Sequence, residues 1–259
     1  MGLIRRIYND YLMPSRWAEY RAFLSSAKAN GYQFVRHQDA ETALAAAEGR
    51  LLFFLRHDID SDVAIARTMF SLERELGIYS TYYFRRCTAD PGLMREILSF
   101  GSEVGYHYEE LADHIKANGI RSREEILPEL DIIRGAFLHN LKAFEVTLGA
   151  KVYTVASHGD WANRSIGLEN LALMNENLRV AGGISLEAYD DRFTRHLSFR
   201  ASDLGNSDLW KPSSPIEATV ALNPVVLVLV HPRQWQRAPI SRLRMDIQRL
   251  LEGIRHRLK

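Results

Sequence analysis

Leu51-Leu52-Phe53-Phe54-Leu55-Arg56-His57-Asp58-Ile59-Asp60 is the stretch on which the reading of this chain turns. An unbroken apolar block bounded by polar residues suits a strand buried on both faces, as in a parallel sheet. The block then ends abruptly in charge. Asp58 and Asp60 stand two apart on extended backbone, so both side chains reach one face of the strand. His57, between them, points to the other. Two carboxylates on one face repel unless a cation or a proton intervenes. A strand this apolar is an expensive place for two charges without a use. The plainer alternative is a helix cap supplied by Asp60, Ser61 or Asp62. Asp62 is read as the cap, and Asp58 with Asp60 as chemistry. Arg56 pairs either with a site carboxylate or with one at the surface.

Working outward, the same layout recurs. A helix over about 62–76, with Ile65, Met69, Leu72 and Leu76 inward, follows the first strand, and Gly77 ends it. Tyr79–Arg85 has the aromatic character of a strand. A helix over Pro91–Phe100 and a strand over Glu103–His107 come next. Ser122-Arg123-Glu124-Glu125 has the form of a capping box ahead of a long helix reaching about Leu148. Lys151–Ser157 is a further strand. Elements between 163 and 221 are short. Val225–Val230 is the most apolar strand, and a helix over about 240–255 closes the chain, with Leu243, Ile247, Leu250 and Ile254 inward. Upstream, helices over 15–30 and 39–48 make a helical extension covering about 1–48. Alternating strands and helices predict a single α/β domain over 1–259, a length that suits an α/β barrel.

Strand ends carry the polar residues. Asp58 and Asp60, His107, His158 and His231 each sit at the C-terminal end of a predicted strand, where parallel α/β folds build their sites. A neutral imidazole is a good ligand for zinc, so His107 reads as a ligand sooner than as a core histidine. His158 is either a third ligand or a substrate-contacting or structural histidine. His231, after six apolar residues, reads as a general acid sooner than as a structural strand-end histidine. Asp160 and Trp161 either line the pocket or, for Trp161, fill core. Glu109 and Glu110 are expected to be solvated, with support of a ligand from behind as the alternative.

Composition excludes other classes. The chain has 259 residues, 46% hydrophobic and 25% charged, with a formal net charge of +1. No global field draws it to nucleic acid. The basic C-terminal residues Arg242, Arg244, Arg249, Arg255, Arg257 and Lys259 read as the solvated face of an amphipathic helix. Cys87 is the single cysteine, so no intramolecular disulfide is expected. No signal-peptide apolar region and no bilayer-length apolar stretch is present, which gives a cytoplasmic expectation. Neither glycine-rich phosphate loop nor G-x-S-x-G elbow occurs.

Three segments, RHDID (56–60), GSEVGYHYEEL (101–111) and LVLVHP (227–232), resemble motifs of the polysaccharide deacetylase superfamily, the family 4 carbohydrate esterases. The likeness in order and spacing runs from about residue 50 to 235. The segment YDDRFTRHLSFRASDLGNSDLW (189–210) resembles the bacterial cell-surface polysaccharide members, in which a Ser-Asp and a following Trp lie near the site; here these are Ser202, Asp203 and Trp210. The resemblance implies a distorted (β/α)7 barrel, a divalent metal such as Zn2+, and removal of an N- or O-acetyl group from a sugar of a polysaccharide or its precursor. By position it makes Asp58 the catalytic base, Asp60 and His107 metal ligands, and His231 the catalytic acid. Asp160, Trp161, Asp203 and Trp210 become substrate contacts, with the two tryptophans placed to stack on a sugar or else to pack. The chain departs from the pattern in three places. Ile59 splits the usual aspartate pair, Leu111 stands where a second histidine is usual, and Ser157-His158-Gly159-Asp160 replaces an Arg-Pro motif. His158 is therefore expected to supply the missing ligand. Without it the chain reads as a non-catalytic sugar-binding or assembly relative. A metal-dependent amidohydrolase or phosphoesterase on a small molecule is the other alternative.

Overall fold

The computed structural model describes residues 11–203, 209–240, 243, 246–247 and 251–254. Its centre is a curled, wholly parallel sheet in the order β6-β5-β4-β3-β2-β8-β7, with β1 paired to β2 off that path. The strands are β1 (Gln33–Phe34), β2 (Leu52–Ile59), β3 (Thr81–Phe84), β4 (Glu103–Tyr108), β5 (Thr154–Ser157), β6 (Leu186–Glu187), β7 (Phe199–Ser202) and β8 (Val225–Val230). The helices used below are α1 (Trp17–Ala29), α2 (Ala40–Ala45), α3 (Val63–Leu76), α4 (Pro91–Phe100), α5 (Glu110–Asn118), α6 (Arg123–Ile126), α7 (Leu130–Leu148) and α8 (Trp161–Ile166). This is the distorted (β/α) barrel expected, with seven strands on the main path.

Alternation along β2 sorts the layers, because successive side chains leave a strand on opposite faces. Phe53 and Leu55 pack outward with Tyr20, Phe23 and Leu24 of α1. Leu52 and Phe54 pack on the concave side with Val225 and Leu227 of β8, Leu186 of β6 and Phe193. That inner cluster therefore joins residues from strands on both sides of the sheet. The concave positions continue through Arg56 and Asp58. On neighbouring strands the corresponding positions are Thr81 and Tyr83, then Glu103, Gly105 and His107, then Thr154 and Ala156.

Gly105 shows how tightly the interior is filled. A Cβ there would lie 2.3 Å from the Tyr83 ring and 2.8 Å from the Thr154 carbonyl oxygen. Tyr83 fits across the interior because Gly105, Ala156 and Ala188 leave it room.

Several local expectations change. The N-terminal segment is no appendage, since α1 covers the outer face of β2 and β8 and β1 joins the ladder of β2. The long helix divides at Leu127–Glu129, where Pro128 forces a tighter turn between α6 and α7. Ser122 still caps α6 through the Glu125 N–H. Asp62 does not cap α3: it occupies the N-cap position with φ of 57° and accepts instead from the Ser61 hydroxyl at 2.7 Å. Leu243, Ile247 and Ile254 are exposed rather than inward, because α1 already covers the apolar outer face. Leu250 and the C-terminal Arg242, Arg244, Arg249, Arg255, Arg257 and Lys259 lie outside the described residues. No described helix is long and apolar enough to cross a membrane.

Candidate active site

Strand alternation carries the concave column of β2 to Asp58 and Asp60, that of β4 to His107, that of β5 to His158 and that of β8 to His231. All five stand at the C-terminal rim. Asp60 Oδ1 lies 3.2 Å from His107 Nε2 and 3.4 Å from His158 Nε2. These three residues each offer one ligand atom within 4.8 Å of the others. His107 Nδ1 lies 2.9 Å from the Ala156 carbonyl oxygen, so Nδ1 carries a proton and Nε2 is the atom that would ligate in the neutral ring; burial lowers this imidazole, and the Asp58 and Asp60 carboxylates outweigh that and raise it. Burial pushes the His158 imidazole down to about 3, which keeps it neutral and able to ligate. Burial raises the Asp60 carboxyl, but the interactions with the His158 and His107 imidazoles outweigh it and hold the group well below the usual range. Asp60 Oδ1 is itself buried without a hydrogen-bond partner.

The charges around this trio decide where a cation fits. Asp58 is taken by Arg56, whose Nε and Nη2 donate to its two oxygens at 2.7 and 2.8 Å. Both groups are buried, and Arg56 lies under the Tyr189 ring at 4.4 Å. Burial raises the Asp58 carboxyl, and the Arg56 charge reverses that and keeps it ionised. Glu109 is taken by Arg85, and Asp160 by Lys116 at 3.2 Å. Unlike Asp58, Glu109 and Asp160, the Asp60 carboxylate has no arginine or lysine salt bridge among the described residues, and two histidine nitrogens face it. One carboxylate and two imidazoles, hard and borderline donors together, fit a divalent ion such as Zn2+.

His231 is held differently. Its Nδ1 lies 2.7 Å from Asp203 Oδ1, and its backbone N–H donates to Asp203 Oδ2 at 2.7 Å. Trp235 Nε1 donates to that same oxygen at 2.9 Å. Burial lowers the His231 imidazole, but the Asp203 carboxylate more than offsets it and raises the group to about 9. His231 is thus an imidazolium at neutral pH, and with Nδ1 engaged, Nε2 is the remaining donor.

The other expected site residues divide. Asp203 is buried behind His231, where it positions the histidine. Asp160 has both oxygens engaged, Oδ1 capping α8 at the Ala162 N–H and Oδ2 on Lys116. Trp161 opens α8 and packs against the main core. Trp210 packs on Phe23 and Trp235 with centroids 5.3 and 5.6 Å away, so it is core and not a sugar platform. His57 points away from the rim as expected, 2.9 Å from Glu73 and stacked on Tyr82. Glu109 and Glu110 are buried and not solvated: Glu109 binds Arg85, and Glu110 accepts from the Tyr106 hydroxyl and Asn140. Glu109 continues the concave column of β4, two residues past His107, and that alternation was the signal for it.

No family model matches the chain, and no curated protein matches it. Among solved structures it is similar to a CE4 family pseudoenzyme from Bacillus anthracis, at 11% identity and TM-score 0.44, over 76% of this chain and 60% of that one. It is also similar to a mutant CE4 family pseudoenzyme with restored enzymatic activity, at 12% identity and TM-score 0.43, over 76% and 62% of the two chains. The matches thus span less than two thirds of either neighbour.

Proposed function

We propose that this chain is a metal-dependent deacetylase that removes an acetyl group from a sugar of a polysaccharide or its precursor. The observation that carries the hydrolytic part is the convergence of His107 and His158 on the Asp60 carboxylate, which no described arginine or lysine pairs with, beside a second carboxylate and a protonated histidine. The sugar and its acetyl group come from the resemblance of the three sequence motifs.

Asp60, His107 and His158 would hold the ion. When bound, a divalent metal supplies Lewis acidity, which makes water a nucleophile at neutral pH and polarises a carbonyl. Asp58, 3.5 Å from His107 Nε2, is the base that takes the water's proton. Arg56 holds both its oxygens and keeps the group ionised, so it is oriented before substrate arrives. The water oxygen bonds to the acetyl carbon. As the bond from that carbon to the sugar nitrogen or oxygen breaks, His231 Nε2 delivers a proton to the leaving atom. The products are acetate and the free amine or hydroxyl.

The test is elemental analysis of purified wild type, Asp60→Ala and His158→Ala, followed by acetate release from acetylated sugars. About one zinc or similar ion per wild-type chain, lost in both variants, with metal-dependent acetate release, supports the reading. Absence of metal after reconstitution sinks it and favours a non-catalytic sugar-binding role.

A further inference from the structure

His158 belongs to two candidate clusters at once. Its Nε2 faces Asp60 at 3.4 Å, and its Nδ1 faces Glu109 Oε2 at 3.7 Å. Asp60, His107 and His158 form one set of possible ligands, and Glu109, His158 and Asp160 form another. A ring nitrogen that ligates a metal must be bare, and the other must then carry the proton. Which cluster takes the ion is therefore the same question as which nitrogen of His158 is bare.

The positive charges already present answer it. In the second cluster Glu109 is clamped by Arg85 and Asp160 by Lys116. The protein's own cations occupy that side. Arg85 also donates through Nη1 to the Asp60 backbone carbonyl at 3.2 Å, tying the clamp to the segment that carries the first cluster. His158 Nδ1 is buried and without a hydrogen-bond partner, with Glu109 the acceptor nearest in hand. A shift of about 0.5 to 0.8 Å on loading would close that contact to hydrogen-bond length.

We infer that Glu109, fixed by Arg85, is the positioning residue for His158: it accepts the Nδ1–H and so turns Nε2 toward the ion held with Asp60 and His107. The inference rests on the metal reading proposed above. Carboxylate partners of this kind orient ligand histidines and strengthen their donation, and their loss typically costs roughly 10- to 100-fold in metal affinity.

Zinc affinity is measured by competition with a chromophoric chelator for wild type, Glu109→Gln and Asp160→Asn, with apo-protein melting curves to confirm folding. Glu109→Gln should bind zinc about 10- to 100-fold more weakly, while Asp160→Asn stays within about twofold of wild type. Equal affinity of Glu109→Gln and wild type overturns the inference and leaves the metal site standing. An equal loss in both variants also overturns it, because the ion then sits in the second cluster. A wild type that binds no zinc removes the metal reading itself. Should Glu109→Gln not fold, nitrogen NMR of 15N-histidine-labelled, zinc-loaded wild type decides: a protonated Nδ1 and metal-bound Nε2 on His158 support the inference, and the reverse overturns it.

Discussion

Asp203 holds His231 at two points, one oxygen 2.7 Å from the ring Nδ1 and the other accepting the histidine's own backbone N–H at 2.7 Å. The chelate fixes both the position and the tautomer of the ring. It also sets the charge, since the carboxylate raises the imidazole to about 9 against the opposing effect of burial.

Asp203→Asn should therefore move the alkaline limb of activity. A general acid works while protonated, so the rate falls as pH rises through its pKa. In wild type that fall should come near 9. In the variant it should come closer to the ordinary histidine value of about 6.5. A pH profile of kcat/KM on a chromogenic acetyl ester checks this, and an unmoved alkaline limb would exclude His231 as the acid.

Arg56→Leu should unfold the protein easily. It leaves the Asp58 carboxylate buried with no cation, a loss of about 3–5 kcal/mol. The double variant Arg56→Leu/Asp58→Leu removes both charges and should recover part of that. Urea denaturation of the three proteins gives the comparison. A double variant no better than the single one would mean that packing of Arg56 between Tyr83 and Tyr189 matters more than its charge.

His37 predicts an acid-sensitive fold. Its Nδ1 lies 2.8 Å from the Tyr83 hydroxyl, which itself donates to Thr154 at 2.9 Å. Burial, helped by the Arg56 charge, pushes the His37 imidazole down to about 3. In the unfolded chain it titrates near 6.5. Between these values the unfolded state binds the extra proton, so this contribution is intact above about 6.5 and is lost as pH falls toward 3, by up to about 1.4 kcal/mol per pH unit. Urea midpoints across that range should fall less steeply for His37→Gln than for wild type. Parallel slopes would show that His37 titrates normally.

Gly105→Ala should destabilise by about 1–3 kcal/mol or more, the usual cost of overpacking. The added methyl meets the Tyr83 ring, which can move, and the Thr154 carbonyl, which is backbone and cannot. Thermal melting tests it. An unchanged Tm would mean that the barrel interior has slack beside Tyr83.

Much of this was legible in the sequence. Continuous apolar runs located β2 and β8, and the alternating polar ends placed Asp58, Asp60, His107, His158 and His231 at one rim. The failures share one cause. Glu109 and Glu110 look solvated, and Asp203, Asp160 and Trp210 look like substrate contacts, because residue type says nothing about what lies across the fold. Glu109 meets Arg85 from 24 residues away, Asp160 meets Lys116 from 44, and Asp203 meets His231 from 28.

The sequence by itself determined the parallel strands, the face each strand turns to the barrel interior, and the set of groups delivered to its C-terminal rim. Those follow from local rules, since apolar continuity sets burial and a period of two sets direction. Tertiary structure alone decided what each group there can do. Arg85 and Lys116 neutralise Glu109 and Asp160 on one side, Arg56 engages Asp58, and Asp203 charges His231. Among the described residues no such cation pairs with the Asp60 carboxylate, and two imidazoles turn toward it. Electrostatic interaction falls with distance and strengthens out of water, so that distinction exists only once the strands are side by side and the rim is buried.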